Sequence, residues 1–188
     1  ECLTGFGWVF MVFDHLAGGD AYTVPVPDSS TVNTRYRCLA VALPDRVVLM
    51  LSAFNIYRHI HVAESVTVRL PDCLGPLDPA TAGIASLSDA NSPVRAFRDD
   101  LAKADLLPDD YALHPDVMPF APRKELVTDP AAATNLAQRN AARYEQLLRS
   151  SLTLAPFTGA LRQEGNTVEI ELRLRPPEVA VVVLTRQT

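Results

Sequence analysis

Lysine is almost absent from this chain of 188 residues: Lys103 and Lys124 are the only two, and the other 15 cationic residues are arginines scattered along its length. The 22 acidic and 17 basic side chains leave a formal charge of −5. That balance excludes a protein that grips nucleic acid by bulk charge. Glycine is scarce at 8, whereas proline reaches 15, where average usage of ~5% gives about nine. Little glycine with much proline fits many short strands and rigid connections better than a helix bundle. The three cysteines, Cys2, Cys38 and Cys73, have no close spacing. They allow at most one disulfide, exclude Cys-x-x-Cys and zinc-finger patterns, and read as small buried hydrophobes. There is no Gly-x-Ser-x-Gly, no Gly-x-Gly-x-x-Gly and no P-loop, and Gly5-Phe6-Gly7 lacks a preceding strand and counts as a turn. No apolar run is long enough for a membrane span of ~20 residues: Leu3 to Leu16 is too short, and Asp14 and His15 interrupt it. Glu1 stands where a signal peptide would carry lysine or arginine.

What remains is the content of one domain, since domains run to roughly 100–200 residues. A chain this size buries around 70% of its unfolded surface without staples. Trp8, Val9, Val12, Phe13 and Leu16 recur at helical steps before the stop signal Gly18-Gly19. A helix so apolar must lie against something large. With no initiator methionine, residues 1–20 read as the last helix of a preceding domain whose remainder is missing. Tyr22–Val26 is a short extended run. Tyr36–Leu43 and Arg46–Phe54 are apolar runs joined by the turn Pro44-Asp45. Val66, Val68 and Leu70 alternate with polar residues as a half-buried strand, and Thr81–Leu87 is a weaker strand pattern.

The middle of the chain is helical in character. Ser92-Pro93 and Asp129-Pro130 each place a capping side chain before a proline at the first helical position. Val94, Phe97 and Leu101 line one face of the first helix. Leu136, Asn140, Tyr144, Leu147 and Leu148 mark a single second helix to about Ser150. Leu106–Leu126, with four prolines, reads as an ordered but irregular excursion. Val168, Ile170, Leu172 and Leu174 alternate with charged residues, Pro176-Pro177 turns the chain, and Val179–Leu184 is apolar on both faces, as in a central strand. The expected fold is mainly β: an antiparallel β-sandwich over residues 21–188, with an N-terminal helix and a helical insertion at about 92–150.

Chemistry-bearing clusters are few. Asp109-Asp110, with Asp105 and Asp116 near, is the densest acidic group, but calcium-loop spacing and its glycine are missing, so a surface loop is the plainer reading. Asp99-Asp100 reads as a wet helix face. His59 and His61 supply two of the three or four ligands that zinc needs, with no third nearby. His15 reads as a hydrogen-bonded residue between domains. Arg35/Arg37 and Arg173/Arg175 each put two guanidiniums on one strand face, to meet a carboxylate, a neighbouring domain or solvent.

Four stretches carry a resemblance: Trp8–Leu16 with Gly18-Gly19-Asp20; Val47–Leu51, Asn55 and Val66–Leu70; Leu87–Ser92 followed by Phe97; and Val168–Leu174, Pro176-Pro177 and Val179–Leu184. In order and spacing the chain resembles the C-terminal part of family 39 of the glycoside hydrolases, the group of β-xylosidases and α-L-iduronidase. The first stretch is similar to the last barrel helix, the second to a strand pair of the accessory sandwich, the third to its Asp-x-x-(Ser-)Asn turn, and the last to its closing hairpin. Phe97 replaces the family's usual tryptophan, and Leu106–Leu126 has no counterpart.

A retaining glycosidase needs two carboxyls about 5–5.5 Å apart, which in the resembled enzymes are glutamates at strand ends of a (β/α)₈ barrel of ~250 residues. The acid/base glutamate of the family follows an asparagine, and this chain has no Asn-Glu dipeptide. No catalytic, cofactor-binding or metal residue is therefore assigned. The expected role is a non-catalytic sandwich that packs on a catalytic barrel and meets carbohydrate only through it, with neither nucleic acid nor membrane as partner. The alternatives are a free-standing carbohydrate-binding module, for which Tyr57 and Tyr111 are the loop candidates, and a protein-interaction sandwich unrelated to sugars.

Overall fold

Strands whose apolar residues alternate bury one face, and strands apolar at every position bury two. A computed structural model, which describes residues 12, 16–55, 62–108 and 127–187, puts the unbroken apolar runs Val47–Leu51 and Val179–Leu184 in one sheet and the alternating Val66–Leu70 and Val168–Leu174 in another. The strands are β1 (Asp20–Val24), β2 (Thr34–Ala42), β3 (Arg46–Asn55), β4 (Glu64–Arg69), β5 (Leu77–Ser88), β6 (Ala155–Pro156), β7 (Ala160–Glu164), β8 (Thr167–Leu174) and β9 (Glu178–Arg186). One antiparallel sheet has six strands in the order β1-β2-β3-β9-β5-β6, and the other has three in the order β4-β8-β7. The two pack face to face, so the expected mainly-β antiparallel sandwich is what the chain forms.

Between them lies the main core. Cys38, Ala40, Leu49, Leu51, Val182 and Leu184 of the large sheet meet Val66, Val68, Ile170, Leu172 and Leu174 of the small one. Each fully buried leucine or isoleucine here contributes about 1.5–3 kcal/mol. Residues of opposite parity on β2, β3 and β9 point to the far side of the large sheet. There Val41, Val48 and Val181 form a second cluster with Val12, Leu16 and Leu148. β9 is thus a central strand with both faces dry, as its sequence predicts.

The helices fill the connection from β5 to β6. α1 (Pro93–Lys103) starts at Ser92, whose Oγ accepts from the Arg95 amide. α2 (Pro130–Arg139) starts at Asp129, whose carboxylate accepts from the amides of Ala131 and Ala132. α3 (Ala141–Leu152) follows at once. The single second helix expected from the sequence is broken at Asn140, which ends α2 and begins α3. Val94 is exposed rather than on the packed face of α1, whereas Leu101 is buried.

Two glycines have a positional reason. Gly165 (φ +60°) opens the two-residue turn between β7 and β8, a conformation that disfavours a side chain. At Gly19 a Cβ would come within 2.5 Å of Val41 and 2.7 Å of the Ala42 carbonyl, so the chain entering β1 passes too close to β2 for any other residue.

Two expected pairings fail. Val168–Leu174 and Val179–Leu184 are not a hairpin: β8 lies in the small sheet and β9 in the large one, and the Pro176-Pro177 turn carries the chain across the core. β3 and β4 are likewise in different sheets, β3 pairing with β2 and β9, and β4 with β8. The weak strand at Thr81–Leu87 is the far half of the twelve-residue β5, whose pairing with β9 slips between Asp78 and Gly83.

Candidate functional site

Strand register brings an unforeseen carboxylate to one end of the sandwich. Glu64 opens β4 with the inward parity of Val66 and Val68, so its side chain faces the large sheet. It meets the loop after β1 and the start of β2. Ser29 Oγ and Tyr36 Oη donate to Oε2 at 2.6 Å each, while Ser30 Oγ donates to Oε1 at 2.6 Å and Thr31 Oγ1 at 2.5 Å. Burial pushes the carboxyl pKa up, but four hydroxyl donors outweigh it and hold the group down to about 2. The Tyr36 phenol is pushed up to about 12, first by burial and then by its bond to Glu64. Beside them Asn55 Nδ2 donates to Thr34 Oγ1 (2.7 Å) and the Val32 carbonyl (3.0 Å).

A second inward carboxylate, Glu178, starts β9 opposite Ala53, whose other neighbour is Tyr36. Its pKa is raised by burial, against the lowering effect of hydrogen bonds from the Arg175 amide (2.9 Å) and Ser86. Two carboxyls with pKa values pushed apart are the usual mark of an acid/base pair. Here the oxygens of Glu64 are saturated by hydroxyls, and Glu178 is held by Arg175 and Ser86. The arrangement can bind the β1–β2 loop to β4, and the four hydroxyls leave Glu64 no free lone pair for a substrate.

The other polar cluster joins the helices. Asp100 is only 7% exposed, and its Oδ2 accepts from Tyr144 Oη and Arg143 Nη2 at 2.6 Å each and from Asn140 Nδ2 at 3.0 Å. Its pKa is lowered by the Tyr144 bond first, with Arg143 assisting, against the opposing effect of burial. The Tyr144 phenol moves up, through burial and then through Asp100. Phe97 packs edge-on against the Tyr144 ring at 5.8 Å. The wet-face expectation thus holds for Asp99 and fails for Asp100, which is the polar centre of the α1–α3 contact.

The remaining sequence candidates fall unevenly. Asp105 is exposed, at φ +55° just past α1. Arg35 and Arg37 point outward from β2, and Arg173 points outward from β8. Cys38 is buried and unpaired, its thiol pushed up to about 12 by burial, so it is unreactive. Cys73 is also unpaired, but it is exposed rather than buried. Trp8, His15, Tyr57, His59, His61, Asp109, Asp110, Tyr111, Asp116, Cys2 and Gly5-Phe6-Gly7 lie outside the described residues. Among the described residues no three metal-ligating side chains converge.

What the structure displays most plainly is a surface. Between Val12 and α3 an apolar groove of 330 Å³ runs over the outer side of the six-stranded sheet, floored by Val48, Val181 and Val183 and walled by Val12, Leu152 and Leu154. Comparison with protein-family models, with curated proteins and with solved structures returns no match.

Proposed function

We propose that this chain is the accessory β-sandwich of a glycoside hydrolase similar to family 39, non-catalytic itself, that packs on and steadies a (β/α)₈ catalytic barrel. The observation that carries the reading is the seat of Val12 and Leu16. They come from the apolar run that resembles a last barrel helix, and they are 2% and 7% exposed against Val41 and Val48 on the outer side of the large sheet. A barrel continuing from that run would lie over the same side. These two carboxylates support a structural role, since Glu64 spends both oxygens and Asp100 its Oδ2 on internal donors.

A free carbohydrate-binding module needs exposed aromatic platforms. Among the described residues Phe54 is the one exposed aromatic, and Tyr57 and Tyr111 lie outside them. The test is native mass spectrometry of the protein as isolated from its source, followed by an aryl-glycoside assay. A co-migrating or covalently continuous body of barrel size, ~250 residues, with hydrolysis by the whole and none by residues 1–188 alone, is the expected result. A stable monomer of this chain with no such body overturns the reading.

A further inference from the structure

Resting on that reading, we infer that the barrel docks on one particular strip of the sandwich: the outer side of the six-stranded sheet at the end carrying Arg35 and Arg37, through helices that present an apolar stripe bordered by carboxylates. In register across the sheet, Leu39, Met50, Val181 and Ala85 form one outward row, and Arg37, Ser52, Val179 and Leu87 form the next. Arg35 and Phe54 close the strip. Leu39, Met50, Leu87 and Val179 are only half-buried against the cluster that holds Val12 and Leu16, and Phe54 is 55% exposed. The strip therefore continues a contact that helical residues of this chain already occupy.

Charge names the partner. The three rows contain two guanidiniums and no carboxylate, in a chain whose net charge is −5. Among the described residues, Arg35 and Arg37 donate only to the neighbouring carbonyls of Thr34 and Tyr36. The outer side of the small sheet is the reverse case. Arg69, Arg162 and Arg173 are matched there by Glu164, Glu169 and Glu171, with Ser65 and Thr67 between and no large apolar residue. An acidic helical surface with an apolar stripe complements the first face and gains nothing from the second.

Both faces carry arginines, so one reagent reads both. Phenylglyoxal modification, followed by peptide mass spectrometry, is applied to residues 1–188 alone and to the whole enzyme. In the whole enzyme Arg35 and Arg37 should be modified at least about fivefold more slowly, with Arg69, Arg162 and Arg173 unchanged. The exposed double variant Arg35→Glu, Arg37→Glu, with the two parts supplied as separate chains, should associate about tenfold more weakly at low salt and lose much of that difference at high salt. If an active glycosidase protects the small-sheet arginines instead, or the variant associates normally, the docking face is wrong and the accessory role stands. If no barrel exists and two copies of this chain protect Arg35 and Arg37, both conclusions fall.

Discussion

The two sheets of this sandwich share one core and differ on their backs. On the inner side both contribute alternate apolar residues, and Leu49 and Ile170 are equally inaccessible. On the outer side the small sheet shows charge pairs and hydroxyls, whereas the large sheet shows valines, leucines and a methionine under helical cover. A sheet with one wet face is complete as it stands. A sheet with two dry faces specifies a second layer, and the uncovered part of that face is where the proposed barrel would rest.

The contrast breaks most visibly with the same acid placed on each back. Val48→Asp buries a charge at a position 1% exposed, among Val12, Val41 and Val181, with the half-exposed Arg46 two residues along the same strand face as the cation that shares its groove. The expected cost is about 4 kcal/mol or more, enough to abolish a cooperative urea transition. Ser65→Asp, on the small sheet opposite Arg173, should move the midpoint by no more than about 0.5 kcal/mol. A Val48→Asp protein with the parent midpoint would show that this side of the large sheet is open to water.

Next in size is the tie between the sheets. Glu64 belongs to the small sheet, and its four hydroxyl donors belong to β2 of the large one and the loop before it. Glu64→Ala strands all four and should cost about 2–3 kcal/mol in urea unfolding. Tyr36→Phe, which removes one donor, should cost about 1 kcal/mol. A negligible Glu64→Ala effect would mean that the loop after β1 is held by other contacts.

The same tie gives a pH signature. The folded pKa of Glu64 lies at about 2, below the ordinary 4.5. A depressed carboxylate contributes its full stability above both values and loses it as pH falls between them. The stability gap between the parent and Glu64→Gln should therefore be constant from pH 7 to about 5 and narrow progressively toward pH 2. Asp100 is depressed in the same direction, so Asp100→Asn should narrow likewise. A gap independent of pH would overturn the hydroxyl account of Glu64.

Local chemistry was legible in the sequence, and long-range choice was not. The alternation in Val66–Leu70 and Val168–Leu174 marks strands with one wet face. The unbroken Val179–Leu184 marks a buried one, and Ser92-Pro93 and Asp129-Pro130 mark two helix starts to the residue. These signals depend on side chains within a few positions of each other. Pairing depends on which backbone lies alongside, so β8 and β9 read as a hairpin when they flank opposite sides of the core. Their different periodicities held the clue, since a half-wet and a fully dry strand suit different sheets. The break at Asn140 carries neither glycine nor proline. Local pattern passes over Glu64 and reads Asp100 as wet, because their partners are 28–35 and 40–44 residues away in sequence.

The smallest effect tests the wet face by its charges. Glu169 sits in register between Arg69 on β4 and Arg162 on β7, the one acid on the small sheet with a cation directly opposite on both sides. Cross-strand pairs of opposite charge contribute roughly 0.2–1 kcal/mol where solvent reaches them, and salt screens them. Glu169→Gln should thus lower stability by about 0.5 kcal/mol at low salt and by nearly nothing in 1 M NaCl. Val183→Ala on the opposite back removes apolar contact and should cost about 1 kcal/mol at both salt concentrations. If the Glu169 effect instead exceeded that of Val183 and ignored salt, the small sheet would have to be the covered one, and the assignment of a partner to the large sheet would reverse.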